Sequence, residues 1–191
     1  MVRSVGAAEL ITVGPDGYPT ATLLPILWQD DMVTAHMARA NPHWRQITPD
    51  SPALLLCSGP QAYVSPNWYP SKAEHGKAVP TWNYTSVHLS GLARLNHDVD
   101  WLRAHVTQLV DRHESERHPR WSVTDAPSDY ITAQLRAIVG LEFRVCRAEG
   151  KAKLSQNRSD DDRCGVIEGL RAEPSAEARA VADAVASVAS G

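Results

Sequence analysis

Short β-prone runs cut apart by tight turn signals fill the first half of the chain, and they restrict its fold more than any other feature. Ala8–Val13 is followed by the turn signal Pro15-Asp16-Gly17, Thr20–Trp28 resumes the strand pattern, and Gln29-Asp30-Asp31 leads into Met32–Met37. Pro25 marks an edge or a bulge. Two hairpins in so short a span predict an antiparallel meander. Ala53–Cys57 is a continuous apolar run, expected as a strand buried on both faces, and Gly59-Pro60 is expected to turn it into a further strand, Gln61–Ser65. Pro66 to Val79 reads as a long polar loop with an aromatic pair and two lysines. Thr81–Leu95 alternates as one long strand, with Gly91 a candidate bulge.

Helical signals come later. Asn41-Pro42 is a helix start, with Asn as N-cap and Pro at the first helical position, and Pro49 and Pro52 keep that helix brief. Asp98 caps a helix whose Val99, Leu102, Val106, Leu109 and Val110 follow the 3.6-residue period. A second helix is expected from Ser128 through Val139, stopped by Gly140, with a last strand over Leu141–Arg147. Ser159 and the acidic run Asp160-Asp161-Asp162 open a short helix through Leu170, where carboxylates complement the helix dipole. The Ala-rich stretch beyond Pro174 is expected as a marginal helix or a frayed tail. The pattern predicts an α+β fold, a small antiparallel β-barrel with peripheral helices. Residues 1–170 form its one domain, with helices inserted at about 98–139, and 171–191 form a C-terminal tail.

Composition narrows the function classes. A formal net charge of −3 argues against a broadly basic nucleic-acid surface and leaves room only for a local patch. No apolar run is long enough to span a membrane and no secretory signal pattern opens the chain, so a cytoplasmic protein is expected. Cys57, Cys146 and Cys164 are an odd number, far apart and without a CxxC pair, and read as reduced thiols. Six Trp stand against one Phe, so the large aromatics mostly carry a polar handle. Only four of the 19 basic residues are Lys: the pairs Lys72 and Lys77, and Lys151 and Lys153.

Metal and nucleophile motifs do not emerge. His113 and His118 flank acidic residues as in a zincin motif, but at five apart they point to different helix faces. There is no GxSxG elbow, P-loop or GxGxxG.

Three polar-aromatic clusters remain, each beside a strand end. His36–Trp44 runs a strand into a helix start, where backbone N–H groups and Arg39 could hold a phosphate; a plain capped helix reads the same residues equally well. Tyr63–Lys72, continuing at Pro80–Tyr84, mixes flat aromatics with amides and hydroxyls, suited either to a ring ligand or to a barrel core. Lys151–Arg158 is rich in donors, as a ligand site or as a solvated linker would be. Together they suggest a phosphorylated planar ligand, and FMN fits that description.

At these clusters the sequence resembles the PaiB family of FMN-binding negative transcriptional regulators. The resemblance rests on His36–Trp44, Ala62–Lys72, Val79–Tyr84 with Val87-His88, Asp125–Tyr130 and Lys151–Arg158, and it spans roughly Leu10 to Leu170. It implies an antiparallel split β-barrel akin to the pyridoxamine-phosphate-oxidase and flavin-reductase barrels, a homodimer, and FMN in a groove between protomers. By the same resemblance His36, Arg39 and Asn41 lie near the flavin phosphate or ribityl chain. Ser65, Lys72, Thr81, Trp82 and Asn83 line the ring side, while Lys153, Gln156 and Asn157 close the site. Family members usually begin with a further helix before the first strand, whereas this chain starts near that strand.

The resemblance implies a regulatory or redox-sensing role. The alternative is a flavin-dependent oxidoreductase passing hydride between a nicotinamide cofactor and a small substrate. No residue is assigned as general acid or base, although His36, His75 and His88 could titrate usefully. Without a helix-turn-helix or a basic recognition helix, the regulatory effect is not expected to require direct DNA contact.

Overall fold

The computed structural model of the chain describes residues 1–189. A four-residue helix, α1 (Val2–Val5), precedes six strands: β1 (Ala7–Val13), β2 (Pro19–Gln29), β3 (Met32–Ala38), β4 (Ser51–Val64), β5 (Thr81–Asn96) and β6 (Ile138–Lys153). They close a barrel in the order β1-β2-β3-β6-β5-β4. Between strands lie α2 (Ser71–His75), α3 (Val99–Glu114) and α4 (Ser128–Arg136); α5 (Asp160–Ala172) and α6 (Ala176–Ala189) follow. The chain divides into two compact units, one of Met1–Cys57 with His88–Glu149, the other of Ser58–Val87 with the chain from Gly150 onward.

In the first unit the meander forms as its turns dictate. β1 pairs antiparallel with β2 from Ala7↔Pro25 to Val13↔Pro19, and with β4 from Glu9↔Leu56 to Ile11↔Leu54. β3 pairs with β2 and with β6, where Met32↔Arg144 and Ala38↔Ile138 are the end pairs. Strand alternation sends Leu10, Ile26, Val33, Leu55, Leu141 and Phe143 inward, all essentially without solvent exposure. Asp98 caps α3 by accepting a hydrogen bond from the Trp101 amide. Leu102, Ile131 and Leu135 join α3 and α4 in a satellite core with Trp101, Val106 and Ile138. Gly91 lets β5 approach β6: a Cβ there would fall 2.1 Å from the Arg144 carbonyl oxygen.

The second unit has its own core, in which Ala62, Val64, Tyr69, Leu154, Val166, Leu170, Val181 and Val185 are buried. α5 is capped as its acidic start predicts, Ser159 accepting from the Asp162 amide. Asp162 does more than complement the dipole. The residue is 4% exposed, and its carboxylate accepts from the Ser71 amide and hydroxyl, which ties the start of α2 to α5.

Several expectations change. Gly59-Pro60 does not turn the chain, and β4 runs through it as one strand. Pro60 lies beyond Leu54–Leu56, the stretch paired to β1, so its missing donor removes no bond to that strand. Nor is Ala53–Cys57 buried on both faces: Leu55 and Cys57 are fully buried, while Leu54 and Leu56 are half-buried. α4 stops at Arg136, because the β-branched Ile138 and Val139 enter β6, which also runs past the expected end at Arg147 to Lys153. The polar loop after Ser65 contains a 3₁₀ turn, Pro66–Trp68, and the short α2. Beyond Pro174 the structure forms helix α6, with Ala178, Val181, Ala182 and Val185 buried; the last two positions lie outside the described residues.

Candidate functional site

The end of β3 and the turn after it carry His36, Arg39 and Asn41. In the first unit each is engaged. His36 Nδ1 lies 3.1 Å from Nε2 of His105 on α3, leaving only its other ring nitrogen for a ligand. His105 is 4% exposed, contacts the Thr34 hydroxyl at 3.1 Å, and stacks on Trp101 with ring centroids 5.3 Å apart. Burial lowers the pKa of His36, while burial and then the charge of His36 push His105 down to about 4, so both are neutral imidazoles near pH 7. Arg39 donates to the Arg136 carbonyl at 3.0 Å and lies 3.2 Å from His97.

Asn41 is the cap the sequence predicts, for a 3₁₀ turn over Pro42–Gln46. Its side chain accepts from the His43 amide and donates to Thr22. His43, 1% exposed, bridges Thr12 and Thr22 through its two ring nitrogens at 2.8 and 2.7 Å. That network is closed on itself and holds the turn in place.

The remaining predicted residues lie in the second unit. Lys153, the last residue of β6, donates from Nζ to Thr81 Oγ1 at 2.7 Å across to the first residue of β5. One ammonium proton is thereby used and two remain available at an exposed position. Asn83 is fully buried and donates to Ser155 Oγ at 2.9 Å, while its own Oδ1 has no protein partner. Ser155 has a positive φ of 62°, so the Asn83 bond pins a turn that an L-residue does not readily adopt. Gln156 completes the turn, donating to the Ala152 carbonyl and accepting from the Leu154 amide, both at 2.7 Å. Asn157 follows on the exposed side of the turn.

Ser65 caps the Pro66–Trp68 turn by accepting from the Asn67 amide, and Lys72 donates to Asn67 Oδ1. Trp82 is placed apart from Thr81 and Asn83. Strand alternation turns it to the opposite face of β5, where its indole donates to Gln61 on β4 at 3.1 Å and meets Tyr63 edge to face.

The sequence reading missed His105, which sits among the apolar positions of α3 as one more member of its buried stripe. Among the described residues no group of three or more His, Cys, Asp or Glu is placed to hold a metal ion. Nor is any helix among them long and apolar enough to cross a membrane.

The closed six-stranded barrel with helices at its periphery is an antiparallel split barrel. Residues 1–147 match the family described as "Putative FMN-binding domain", and the chain belongs to that family. It is 33% identical over 171 residues to the protease synthase and sporulation protein PAI 2 of Bacillus subtilis. That alignment covers 87% of this chain and 80% of the relative, and it bears out the PaiB resemblance.

An uncharacterised protein of Aspergillus fumigatus is 38% identical over 133 residues, covering 61% of this chain and 51% of the fungal protein, so the chain spans about half that relative's length. Among solved structures, the FAD and haem binding protein of Mycobacterium smegmatis superposes with a TM-score of 0.58 at 18% identity, over 83% of this chain and 71% of that one. A flavocytochrome of Azotobacter vinelandii gives 0.56 at 15% identity, over 85% and 71%. At such identities these two structures are evidence of shared fold.

Proposed function

We propose that the protein binds FMN as a homodimer, with the cluster at the joined ends of β5 and β6 among its cofactor contacts, and that the flavoprotein has a regulatory or redox-sensing role. The observation that carries this reading is the Lys153–Thr81 pair: a cation held in place at 2.7 Å with donor capacity to spare. The donor set of the second unit suits the cofactor. Lys72, Lys151, Lys153 and Arg158 offer positive charge to an anionic cofactor, and hydroxyl and amide groups match the alternating donors and acceptors of a flavin edge. A bound flavin supplies electron-transfer chemistry; the protein supplies position and charge.

Lys153 and Thr81 are the contacts proposed here, with Lys72, Ser65 and Asn157 as further ones from the same unit. Gln156 and Asn83 act by shaping the turn that presents Lys153. His36, Arg39 and Asn41 remain proposed at the phosphate or ribityl chain, each to be tested by its own substitution. The regulatory part of the reading draws on the Bacillus relative, whose name ties it to protease synthesis and sporulation.

Titration of the purified protein with FMN, followed by flavin absorbance and fluorescence, tests the reading. Saturable uptake is expected, and Lys153→Met is expected to weaken it about tenfold or more through loss of one charge-assisted contact. Uptake of no flavin at all would remove the reading. Undiminished affinity in Lys153→Met and Thr81→Val would move the flavin away from this cluster.

A further inference from the structure

The face of β5 opposite Thr81 opens on a second concave surface, a cavity of about 290 Å³ within the second unit. Its walls are Gln61, Tyr63 and Trp82 on the sheet side and Glu173, Ser175 and Glu177 around the start of α6. Tyr63 and Trp82 are 49% and 46% exposed, a large aromatic area to leave in water on two adjoining strands. Their rings stand edge to face at 6.4 Å and 65°, and the Trp82 indole is fixed by its bond to Gln61.

Both charged residues of the lining are carboxylates, and neither belongs to an ion pair among the described residues. Glu177 accepts from the Gln61 amide at 3.3 Å through one oxygen, which holds the side chain against the sheet and leaves its second oxygen uncommitted. The neighbouring cation, Arg179, is turned to the backbone carbonyls of Glu173 and Pro174 and does not line the cavity.

Aromatic faces joined to carboxylates recognise organic cations: the ring quadrupole attracts the charge, the carboxylates neutralise it, and the apolar ring surface takes the alkyl stem. We propose that this cavity binds an alkylammonium ion, with Tyr63 and Trp82 against its stem and head and Glu173 and Glu177 as counter-charges. A strand-borne anion site would instead need donors, and the lining supplies few. Glu177 in the first turn of α6 also complements the helix dipole, but that role accounts neither for Glu173, which precedes the helix, nor for the exposed aromatic pair. The cavity shares no residue with the Lys153–Thr81 cluster, so the two proposals stand or fall separately.

The test follows the Trp82 indole N–H signal by NMR, identified by its loss in Trp82→Phe, during titration with n-butylammonium chloride and with the amide-blocked amino acid N-acetyl-lysine methylamide. n-Butanol and the ε-acetylated lysine derivative are the neutral controls. Saturable shifts with the cations and not with the neutral analogues are expected. The Glu173→Gln, Glu177→Gln double variant should bind about tenfold more weakly, and Tyr63→Leu several-fold more weakly. Tighter binding of n-butylammonium would indicate a free amine as the natural ligand, and tighter binding of the lysine derivative a lysine side chain of a protein partner; either supports the proposal.

Equal response to butanol and butylammonium, the absence of saturation, or unchanged binding in the double carboxamide variant would overturn it. The carboxamides keep the size of the exposed side chains, and far-UV circular dichroism with a thermal melt confirms that each variant is folded. Lys153→Met, which tests the FMN reading, should leave amine binding unchanged.

Discussion

Burial, and secondarily the charge of His36, hold the His105 imidazole at about 4 against an ordinary value of 6.5. The sign of the consequence follows from proton linkage. In the unfolded chain His105 takes up its proton as pH falls through 6.5; in the fold it stays neutral until about 4, so stability present above pH 6.5 is lost on the way down. His36 and His43 are lowered by burial as well and act in the same direction. For His105 alone the loss between neutrality and pH 5 is on the order of 2 kcal/mol. Urea unfolding of wild type and His105→Gln at pH 7 and pH 5 checks this: the variant should be less stable at pH 7 and should lose less between the two pH values. An identical loss in both proteins would place the pH sensitivity elsewhere.

The sequence shows why His105 escapes notice. It occupies an inward position of an amphipathic helix between Leu102 and Leu109, and only the pairing of α3 with His36 and Thr34 of β3 reveals it as half of a histidine couple.

Among the elements, α5 illustrates how packing reverses a local preference. Gly165 and Gly169 lie within it, where replacement by Ala would ordinarily favour the helix by about 1 kcal/mol. Here both glycines face Trp68. A Cβ at Gly165 would fall 2.0 Å from the Trp68 carbonyl oxygen, and one at Gly169 2.2 Å from Cδ2 of its indole. Backbone cannot yield as a flexible side chain can, so Gly165→Ala is expected to destabilise by about 1–3 kcal/mol, against its helix propensity. A lowered thermal midpoint with loosened protection of the Asn67 and Trp68 amides is the expected result; a raised midpoint would show that the turn moves aside freely.

Local signals elsewhere were more faithful. Asn41, Asp98 and Ser159 each cap the element that their side chains announce, since capping is settled within a few residues. The ends of β4 and β6 were not legible in this way. Gly59-Pro60 reads as a turn and Ile138-Val139 as helix until the neighbouring strands supply the ladder that overrides both.

For the whole molecule, the motifs that mark the candidate site are contiguous runs and stand out in the sequence. The face each residue occupies does not. Thr81 and Trp82 are neighbours in one motif, yet the pleat sends the first to Lys153 and the second to Gln61 and Tyr63, so one run serves two surfaces. Both surfaces depend on a core to which α6 contributes Ala178, Val181, Ala182 and Val185. Full burial of the two valines alone stabilises by roughly 3–6 kcal/mol, a large part of what a domain of this size has in hand. Removing everything after Pro174 takes away that stripe and leaves Val64, Val166 and Leu170 facing water.

The truncated chain is therefore expected to lose amide exchange protection over Gln61–Val64 and through α5. The Lys153–Thr81 geometry goes with it, and FMN uptake with that geometry. Amides of the β1–β2–β3 meander, whose inward residues belong to the first unit, should keep more of their protection. Hydrogen exchange on the two proteins separates the outcomes: uniform loss everywhere would mean that one cooperative transition governs the chain, and full retention of protection in α5 would mean that α6 contributes little to holding the strand ends in place.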